Sequence, residues 1–466
     1  MRNKNIDFVI QHPLFEDDWT PSVSPAITRP IHYLGSKLRI INKIRETIDS
    51  LDPSYGPVCD LFAGSGTVSK ALSQKRDVIA VDIQEYSRVL CSALLRPAKY
   101  DPSSVDEFVS GISLSEHSKI LSWVFEPLSN FEDECLSIAA TGNMEPLCDF
   151  LENGPFIAFE HGTCHTLNSS LIEAMKKVQA RLSEVHLIDS PSTLVTRYFG
   201  GIYFSYSQAS QLDALLEAVA KLQPEQRDTF LAAVLSTASE IVNTIGKQFA
   251  QPLRPRSHSG NPKPNLLELV SRDRSSKVLD LYKNWLKRYV TVPRTERAHA
   301  IIRKDYQEAL KSLKDKVRII YADPPYTRDH YSRYYHVLET LCLRDNPRIS
   351  TVRINGKDLM SRGIYRVDRY QSPFCIHSKA PKAFTTLFAG VRSLDVPLVL
   401  SYSPYEKGNN SRPRLMTIKQ IEELAKAYFR CVEVRRAGHI AHSKLTSSDK
   451  TFGISYDAEV LFICQP

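Results

Sequence analysis

The apolar residues along the chain show two different patterns of periodicity. From about residue 29 to residue 99, short apolar runs typical of strands alternate with stretches of helical period. The predicted order is a loop, a helix, a strand, a helix and a strand, at residues 29–37, 38–51, 57–62, 67–75 and 77–83. Strands that alternate with helices predict a parallel sheet.

The pattern then becomes helical from about residue 100 to residue 290, for example at 207–222 and 227–249. Alternation resumes with predicted helices at 298–314, 335–341, 380–394 and 417–429, and predicted strands at 317–322, 397–403, 432–437 and 458–464. We therefore predict an α/β fold whose sheet is assembled from both ends of the chain, with a large, mainly helical insertion.

The length of 466 residues is too great for one compact core. The predicted division is an N-terminal arm at 1–28, a first α/β part at 29–100, the insertion at 101–297 and a second α/β part at 298–466. Proline-rich or polar breaks at 251–265 and 291–297 separate the later segments.

Composition favours a cytoplasmic protein. No stretch approaches the roughly 20 apolar residues of a membrane span. The nine cysteines are scattered without a Cys-x-x-Cys pair, which is typical of reduced thiols. The first residues have neither the apolar core of a signal peptide nor the composition of a transit peptide.

The positive charge of the chain is concentrated in one region. The formal net charge is +8, yet residues 251–304 hold thirteen Lys and Arg against four Asp and Glu, so the rest of the chain sums to −1. A local excess of this kind suits contact with phosphates, although a solvated helix face explains part of it equally well.

A glycine turn follows the first predicted strand. In DLFAGSGTVSKAL at 60–72, Gly64 and Gly66 stand where backbone N–H groups can approach a ligand. Ser69 replaces the third glycine of the dinucleotide fingerprint, which disfavours NAD or FAD relative to another adenosine-bearing cofactor. The next strand ends on Asp82, whose carboxylate can accept hydrogen bonds from ribose hydroxyls. An ordinary tight turn with a surface acid is the alternative.

A second motif, Asp323-Pro324-Pro325-Tyr326, follows the strand predicted at 317–322. It therefore lies at the edge where open α/β sheets bind ligands. The two prolines stiffen the turn and remove two N–H donors. The Asp323 carboxylate and the Pro324 carbonyl can accept from the exocyclic amine of a base, while Tyr326 stacks on its ring. A proline-rich turn with a capping Asp is the structural alternative.

A metal site is not predicted. His161, Cys164 and His165 lie close together in the sequence, but no second ligand pair stands at a finger-like spacing.

Three motifs in order, YLGSK at 33–37, DLFAGSG at 60–66 and DPPY at 323–326, resemble those of the Dam-like, alpha-group adenine-N6 DNA methyltransferases. Further similar stretches lie at 197–215, 241–246 and 331–340. The resemblance implies a Rossmann-like, S-adenosylmethionine-dependent methyltransferase sheet, and it leaves residues 100–190 largely uncovered.

The resemblance implies S-adenosylmethionine as methyl donor. Lys37 would lie near its carboxylate, Tyr33 near its sulfonium or adenosine, and Asp82 at its ribose. The full set of residues expected to bind the donor is Tyr33, Lys37, Asp60, Phe62, Gly64, Gly66, Asp82 and Asp323.

The implied substrate is adenine in double-stranded DNA, flipped out of the duplex. The residues expected to act on it are Asp323, Pro324, Pro325 and Tyr326. The insertion would house the target recognition region, and the expected DNA contacts are Arg254, Arg256, Lys263, Arg328 and Arg333. Tyr331, Tyr334 and Tyr335 have the spacing of a helix that packs on the sheet. A modification enzyme of a bacterial or archaeal cell, with a cognate restriction endonuclease as partner, is expected.

Three alternatives are less favoured. Cytosine-N4 methylation uses the same pocket chemistry, but that group more often has Ser where this chain has Asp323. RNA enzymes more often have Asn there. A non-catalytic DNA-binding specificity subunit would not be expected to keep both the glycine turn and DPPY.

Overall fold

The computed structural model describes residues 29–33, 35, 37–326, 331–354, 357–403, 415–437 and 459–466. The predicted arm at 1–28 and Arg328 lie outside these ranges. Among the helices that are described, none is long and apolar enough to cross a membrane.

Seven of the described strands form one sheet, in the order β3-β2-β1-β4-β7-β9-β8. All neighbours are parallel except β9, which runs antiparallel to both β7 and β8. Strands β5 and β6 form a separate antiparallel hairpin. The strands are β1 (Val58–Asp60), β2 (Val78–Asp82), β3 (Ala300–Arg303), β4 (Ile319–Ala322), β5 (Thr351–Ile354), β6 (Lys357–Met360), β7 (Leu398–Tyr402), β8 (Cys431–Arg436) and β9 (Val460–Gln465).

Helices cover the sheet and fill the insertion. Those before and within the insertion are α1 (Ile41–Leu51), α2 (Thr67–Leu72), α3 (Glu85–Leu95), α4 (Val105–Leu114), α5 (Glu116–Ala140), α6 (Glu145–Asn153), α7 (Phe156–Glu160), α8 (Ser169–Glu184), α9 (Leu194–Phe199), α10 (Tyr206–Ala220), α11 (Pro224–Ile241), α12 (Leu266–Arg274) and α13 (Val278–Val290). Those after it are α14 (Tyr306–Lys311), α15 (Tyr331–Tyr334), α16 (His336–Leu343), α17 (Ala380–Arg392) and α18 (Ile418–Lys426). Short 3-10 turns lie at Leu38–Ile40, Pro102–Ser104, Pro191–Thr193 and Pro373–Cys375.

The centre of the sheet joins the two ends of the chain, as predicted. Val58 of β1 is in register with Val78 of β2 on one side and with Ile319 of β4 on the other. The β4 side chains alternate between two apolar clusters, because Ile320 belongs to the cluster on one face and Tyr321 to the cluster on the other. Both faces are therefore covered, as a parallel sheet requires. This architecture confirms the predicted α/β, Rossmann-like fold class.

The segment between α3 and β3 is helical in all its regular structure. Its core is continuous with the helices on the sheet, since Leu90 of α3, Val234 of α11 and Leu338 of α16 belong to one apolar cluster. The exact division of the chain into domains stays a prediction.

The helix predicted at 298–314 is wrong in its first half. Residues Ala300–Arg303 form β3, which pairs with β2, and the helix that follows is α14. The Asp305 side chain accepts from the Gln307 N–H at 2.9 Å and so starts α14 later than predicted. Ile301 and Ile302 are locally compatible with a helix or a strand, and the segment forms a strand because it pairs with β2.

The helix predicted at 227–249 is too long, because α11 ends at Ile241. Beyond it, backbone N–H groups donate to other segments, Asn243 to the Tyr203 carbonyl at 2.8 Å and Phe249 to the Tyr334 carbonyl at 3.1 Å. The hairpin of β5 and β6 was not predicted, although the Asn355-Gly356 dipeptide between its strands is a typical hairpin signal.

Replacing Glu339 by Ala should destabilise the protein by about 1–3 kcal/mol. Its buried carboxylate accepts from the N–H groups of Glu85 and Tyr86, both at 3.0 Å, and so holds α16 to the first turn of α3. Chemical denaturation measures the loss. Glu423→Ala is the control, because this glutamate is exposed, lies 3.9 Å from Lys419 and should contribute less than about 1 kcal/mol. Equal effects of the two variants would contradict the role of Glu339.

Candidate functional site

The candidate site is a cavity at the C-terminal edge of the parallel strands, of about 1000 Å³ including its open mouth. The connections that leave β1, β2, β3 and β4 contribute to it, together with the segment before α1 and with Tyr370 and Ser372 between β6 and β7. The predicted residues among its lining are Tyr33, Lys37, Asp60, Phe62, Gly64, Asp82, Asp323 and Pro325. Gly66, Pro324 and Tyr326 lie next to this lining in the sequence but do not belong to it.

The glycine turn is fixed by contacts that a side chain would disturb. Gly64 has a φ of +53°, and its N–H donates to Asp82 Oδ2 at 3.0 Å. A Cβ on Gly64 would lie 2.5 Å from the Tyr33 hydroxyl oxygen. Gly66 has a φ of +77°, and a Cβ there would lie 3.2 Å from the sulfur of Cys91 on α3. Gly64 therefore shapes the cavity, while Gly66 lets α2 approach α3.

A carboxylate ends each of the strands β1 and β2, and the Asp60 side chain is buried whereas Asp82 is half-buried. Asp60 is 1% exposed, and its Oδ2 accepts from the Ser69 hydroxyl at 2.7 Å, whereas its Oδ1 has no hydrogen-bond partner among the described residues. Burial raises the pKa of Asp60 to about 7, against the opposing hydrogen bond from Ser69. Burial also raises the pKa of Asp82, although its oxygens accept from the N–H groups of Gly64 and Gln84. Asp60 thus offers an unfilled acceptor inside the cavity.

Aromatic rings form one wall. The Tyr33 ring stacks on the Tyr335 ring at 5.0 Å between centroids, with an angle of 11° between planes. Tyr334 and Tyr335 are buried in the helical core, whereas Tyr331 lines the cavity. Opposite, the Phe62 ring meets other rings edge-on or tilted. Of the three tyrosines for which packing was predicted, Tyr331 therefore also faces the cavity.

A charged network lies at the DPPY turn. Lys37 Nζ is 3.1 Å from Asp323 Oδ1 and 3.0 Å from Glu459 Oε1. Its side chain is 5% exposed, that of Asp323 is 21% exposed and that of Glu459 is 10% exposed. The Tyr326 hydroxyl donates to Glu459 Oε1 at 2.9 Å and lies 3.4 Å from Lys37 Nζ. One ammonium group is therefore shared by two carboxylates and a phenol.

The pKa values in this network follow from burial and charge. Burial alone would lower the pKa of Lys37, but Asp323 and Glu459 outweigh it and raise this pKa well above its ordinary value. Burial raises the pKa of Asp323, Lys37 opposes the shift and Glu459 adds to it. Lys37 thus remains an ammonium group.

Asp323 Oδ1 retains an unused hydrogen-bonding capacity. Its 3.1 Å contact with Lys37 Nζ is an ion pair that does not have hydrogen-bond alignment, and no other described group donates to this buried oxygen. It lies at the end of β4, beside the cavity.

The cavity lining does not include Arg254, Arg256, Lys263 or Arg333, four of the residues predicted to contact DNA, and their surroundings differ. Arg254 is exposed, and Lys263 is half-buried. Burial and the nearby Arg362 and Arg254 lower the pKa of Lys263. By contrast, Arg256 donates to two glutamates, at 2.8 Å to Glu145 and at 3.1 Å to Glu152. Among the described residues, Arg254 and Lys263 have no ion-pair partner, whereas Arg256 pairs with Glu145 and Glu152.

Arg333 is held beside the ring of Tyr365. Its guanidinium carbon lies 4.6 Å from the ring centroid, and Nη2 donates to the hydroxyl at 3.0 Å. Arg369 lies 5.1 Å from the same ring centroid. The DNA contacts of all these side chains stay a prediction, and Arg328 lies outside the described residues.

Sequence reasoning missed two parts of the site. Lys304, Asp305 and Tyr306 line the cavity after β3, where a continuous helix was expected. Glu459 is expected from the sequence only as part of the last strand, although an acid at the start of an apolar run is a signal of a special role. Among the residues that are described, no group of three His, Cys, Asp or Glu could hold a metal ion.

The sequence was also compared with known protein families and proteins. The sequence matches the family model described as D12 class N6 adenine-specific DNA methyltransferase over residues 33–122 and 265–375. This match supports an adenine methyltransferase family for the chain. The methyltransferase match includes the YLGSK, glycine-turn and DPPY motifs, and it omits most of the helical insertion and the basic loop at 251–264.

Two modification enzymes are similar to the chain. Modification methylase LlaI of Lactococcus lactis subsp. lactis is 23% identical over 384 residues, which are 80% of this chain and 46% of that relative. Type II methyltransferase M.FokI of Planomicrobium okeanokoites is 24% identical over 322 residues, which are 68% of this chain and 38% of that relative. The aligned part is thus less than half the length of either relative. No solved structure matches the chain.

Gly64→Ala should weaken donor binding by about tenfold or more. The new Cβ would meet Tyr33 at 2.5 Å in a backbone conformation with φ +53°, and strain of this kind costs about 1–3 kcal/mol. Calorimetric titration with S-adenosylhomocysteine measures the effect. Gly142→Ala is the matched control, because Gly142 also has a positive φ, +103°, but a Cβ there meets nothing within 4 Å. Equal donor affinity in the wild type and Gly64→Ala would contradict the assigned role of Gly64.

Proposed function

We propose that the protein transfers a methyl group from S-adenosylmethionine to the N6 amine of a flipped adenine in duplex DNA. The observation that carries this proposal is Asp323 Oδ1, a buried acceptor without an aligned donor at the sheet edge. An exocyclic amine supplies the missing donor. The family match supports adenine as the base.

The residues of the cavity suit the methyl donor. The unfilled Oδ1 of Asp60 fits an ammonium group, and the Asp82 oxygens retain lone pairs for ribose hydroxyls. When bound, S-adenosylmethionine supplies an electrophilic methyl group on a positively charged sulfur. Tyr33 and Lys37 would bind the same molecule from the loop before α1, and Phe62 would pack against it.

The DPPY turn would prepare the amine for attack. The amine nitrogen of adenine shares its lone pair with the ring and is a poor nucleophile. Acceptors at Asp323 and at the Pro324 carbonyl would draw its hydrogens out of the ring plane and localise the lone pair toward the methyl group. Asp323 orients and polarises in this scheme, and positioning contributes much of the acceleration. The stacking role of Tyr326 belongs to the proposal.

The proposed biological role is that of a modification enzyme. The two similar proteins are named a modification methylase and a Type II methyltransferase. By this similarity, and by its motif order of the Dam-like alpha group, the chain would modify a specific DNA sequence and protect it from a cognate restriction endonuclease.

The decisive experiment uses labelled S-adenosylmethionine and mixed-sequence duplex DNA, followed by digestion to nucleosides. We expect N6-methyladenine from the wild type. Asp323→Asn should lower the rate at least about 100-fold while DNA binding is retained, because a neutral amide with one accepting oxygen replaces the preorganised carboxylate. Asp395→Asn, an exposed aspartate, is the control.

Three other outcomes of these measurements would each lead to a different conclusion. Label in N4-methylcytosine would support the rival cytosine enzyme. DNA binding without any methyl transfer would support a specificity subunit, and full activity of Asp323→Asn would contradict the proposed role of the carboxylate.

The basic loop provides a second test of DNA binding. The double variant Arg254→Gln/Lys263→Gln should bind duplex DNA more weakly, with a salt slope shallower by about 1–2 units, because two phosphate contacts are lost. Arg256→Gln should change the slope less, since Glu145 and Glu152 already compensate its charge. Fluorescence anisotropy at several salt concentrations measures the slopes. Identical slopes for the wild type and the double variant would exclude the loop from the interface.

A further inference from the structure

Glu459 occupies a special place beside the DPPY turn. It directly precedes β9, which pairs with β7, and its side chain is largely buried. Its Oε1 accepts from Lys37 Nζ at 3.0 Å and from the Tyr326 hydroxyl at 2.9 Å, while its Oε2 accepts from the Ser401 hydroxyl at 3.3 Å. A buried carboxylate with three donors has a fixed orientation.

The two carboxylates hold Lys37 in different ways. The contact with Glu459 has hydrogen-bond geometry, whereas the contact with Asp323 is an ion pair that does not. A lysine ammonium has three directional donors. In this arrangement Glu459 accepts the aligned hydrogen bond, and Asp323 Oδ1 faces the same ammonium group at 3.1 Å in a poorly aligned contact.

We propose that Glu459 is a positioning residue of the transfer site, which holds the Lys37 ammonium and the Tyr326 hydroxyl so that Asp323 stays free to accept from the substrate amine. This inference rests on the proposed function. It assigns no contact between Glu459 and the substrate, because Glu459 acts through Lys37 and Tyr326.

A charged carboxylate is required for this role. Without it, Lys37 would have Asp323 as its one charged partner in the network and would align a donor onto Oδ1. The acceptor needed by the amine would then be occupied. Tyr326 would also lose the hydrogen bond from its hydroxyl to Glu459, which helps to hold its ring edge-on to the Tyr402 ring, at 5.1 Å between centroids.

The pKa of Asp323 depends on the charges of Lys37 and Glu459, so it can be used to test this arrangement. Lys37, from the loop before α1, stabilises its charge, and Glu459, before β9, opposes it. The other facing groups are Asp60 at the end of β1, Tyr321 on β4, Tyr326 of the turn and Tyr331 on α15. The pKa values of Tyr321 and Tyr331 are raised by burial, so both are neutral near pH 7. Removal of the Glu459 charge should therefore lower the pKa of Asp323, and removal of the Lys37 charge should raise it.

The experiment follows this ionisation directly in the full-length protein. Protein labelled with carboxyl-¹³C aspartate is titrated by NMR, and the Asp323 signal is identified by its absence from Asp323→Asn. In Glu459→Gln the midpoint should fall by about one pH unit, and in Lys37→Met it should rise. Glu433→Gln is the control, because Glu433 lies on the neighbouring strand β8, is exposed and pairs with Arg435.

Methyl transfer gives the second readout. Asp323 must be ionised to accept from the amine, so the acid limb of kcat/KM against pH should move to lower pH in Glu459→Gln. The plateau rate should fall about tenfold, because Lys37 then occupies Asp323. A merely structural role would lower the rate without moving the acid limb.

The outcomes separate this inference from the proposed function. An unchanged Asp323 midpoint in Glu459→Gln overturns the positioning role, whichever base the wild type modifies. Methylation of cytosine, or of no base, overturns the proposed function, and the NMR midpoint still decides the role of Glu459. Should the glutamine variant not fold, Glu459→Met repeats the measurement with an uncharged side chain of similar length.

Discussion

The pairing of β1 with β4 is the constraint on which the site depends. Asp60 at the end of β1 is in register with Tyr321, and the N–H of Leu61 donates to the Tyr321 carbonyl at 2.9 Å. The glycine turn and the DPPY turn therefore leave the sheet side by side, although a large helical segment separates them in the sequence. Parallel neighbours need a long crossover, and a large insertion fits such a connection without disturbing the edge.

Buried charge is the second constraint. Lys37, Asp323 and Glu459 together contain one positive and two negative groups in largely buried positions. Burying such a set costs desolvation free energy, so these ion pairs are not expected to contribute much to the stability of the fold. Its retention at the ligand edge of the sheet is therefore better explained by the chemistry of a site. The uncompensated negative charge also suits a cavity proposed to bind a cationic donor.

The sequence was sufficient for the local parts of the fold. Gly64, Gly66, Asp82 and the DPPY turn could be placed because each follows an apolar run that ends at the same edge of a parallel sheet. The sequence also predicted a sheet assembled from both ends of the chain, but individual strand pairings and side-chain contacts over long distances could not be predicted. The strand Ala300–Arg303 is locally ambiguous and is decided by β2, and Glu459 meets Lys37 across 422 residues of sequence.

Charge counts have the same limit. The basic loop contributes Arg254, Arg256 and Lys263 equally to a net charge, but Glu145 and Glu152 of the insertion compensate one of the three. Only the tertiary structure separates an available charge from a paired one. The sequence therefore indicates only the number of positive charges in the loop, and the structure shows which of them are already paired with carboxylates.

A hydrogen bond joins the helical insertion to α15, the helix that follows the DPPY turn in the sequence. Phe249, just before the basic loop, donates from its N–H to the Tyr334 carbonyl of α15, and its own carbonyl accepts from the Tyr203 hydroxyl at 2.8 Å. Near the start of the loop, Arg362 donates to the Leu253 carbonyl at 2.8 Å. The loop is thus anchored to the segment that follows DPPY, within one continuous apolar core. A phosphate contact on the loop would help to fix the position of the duplex relative to α15, because Phe249 and Tyr334 pack in the same apolar cluster.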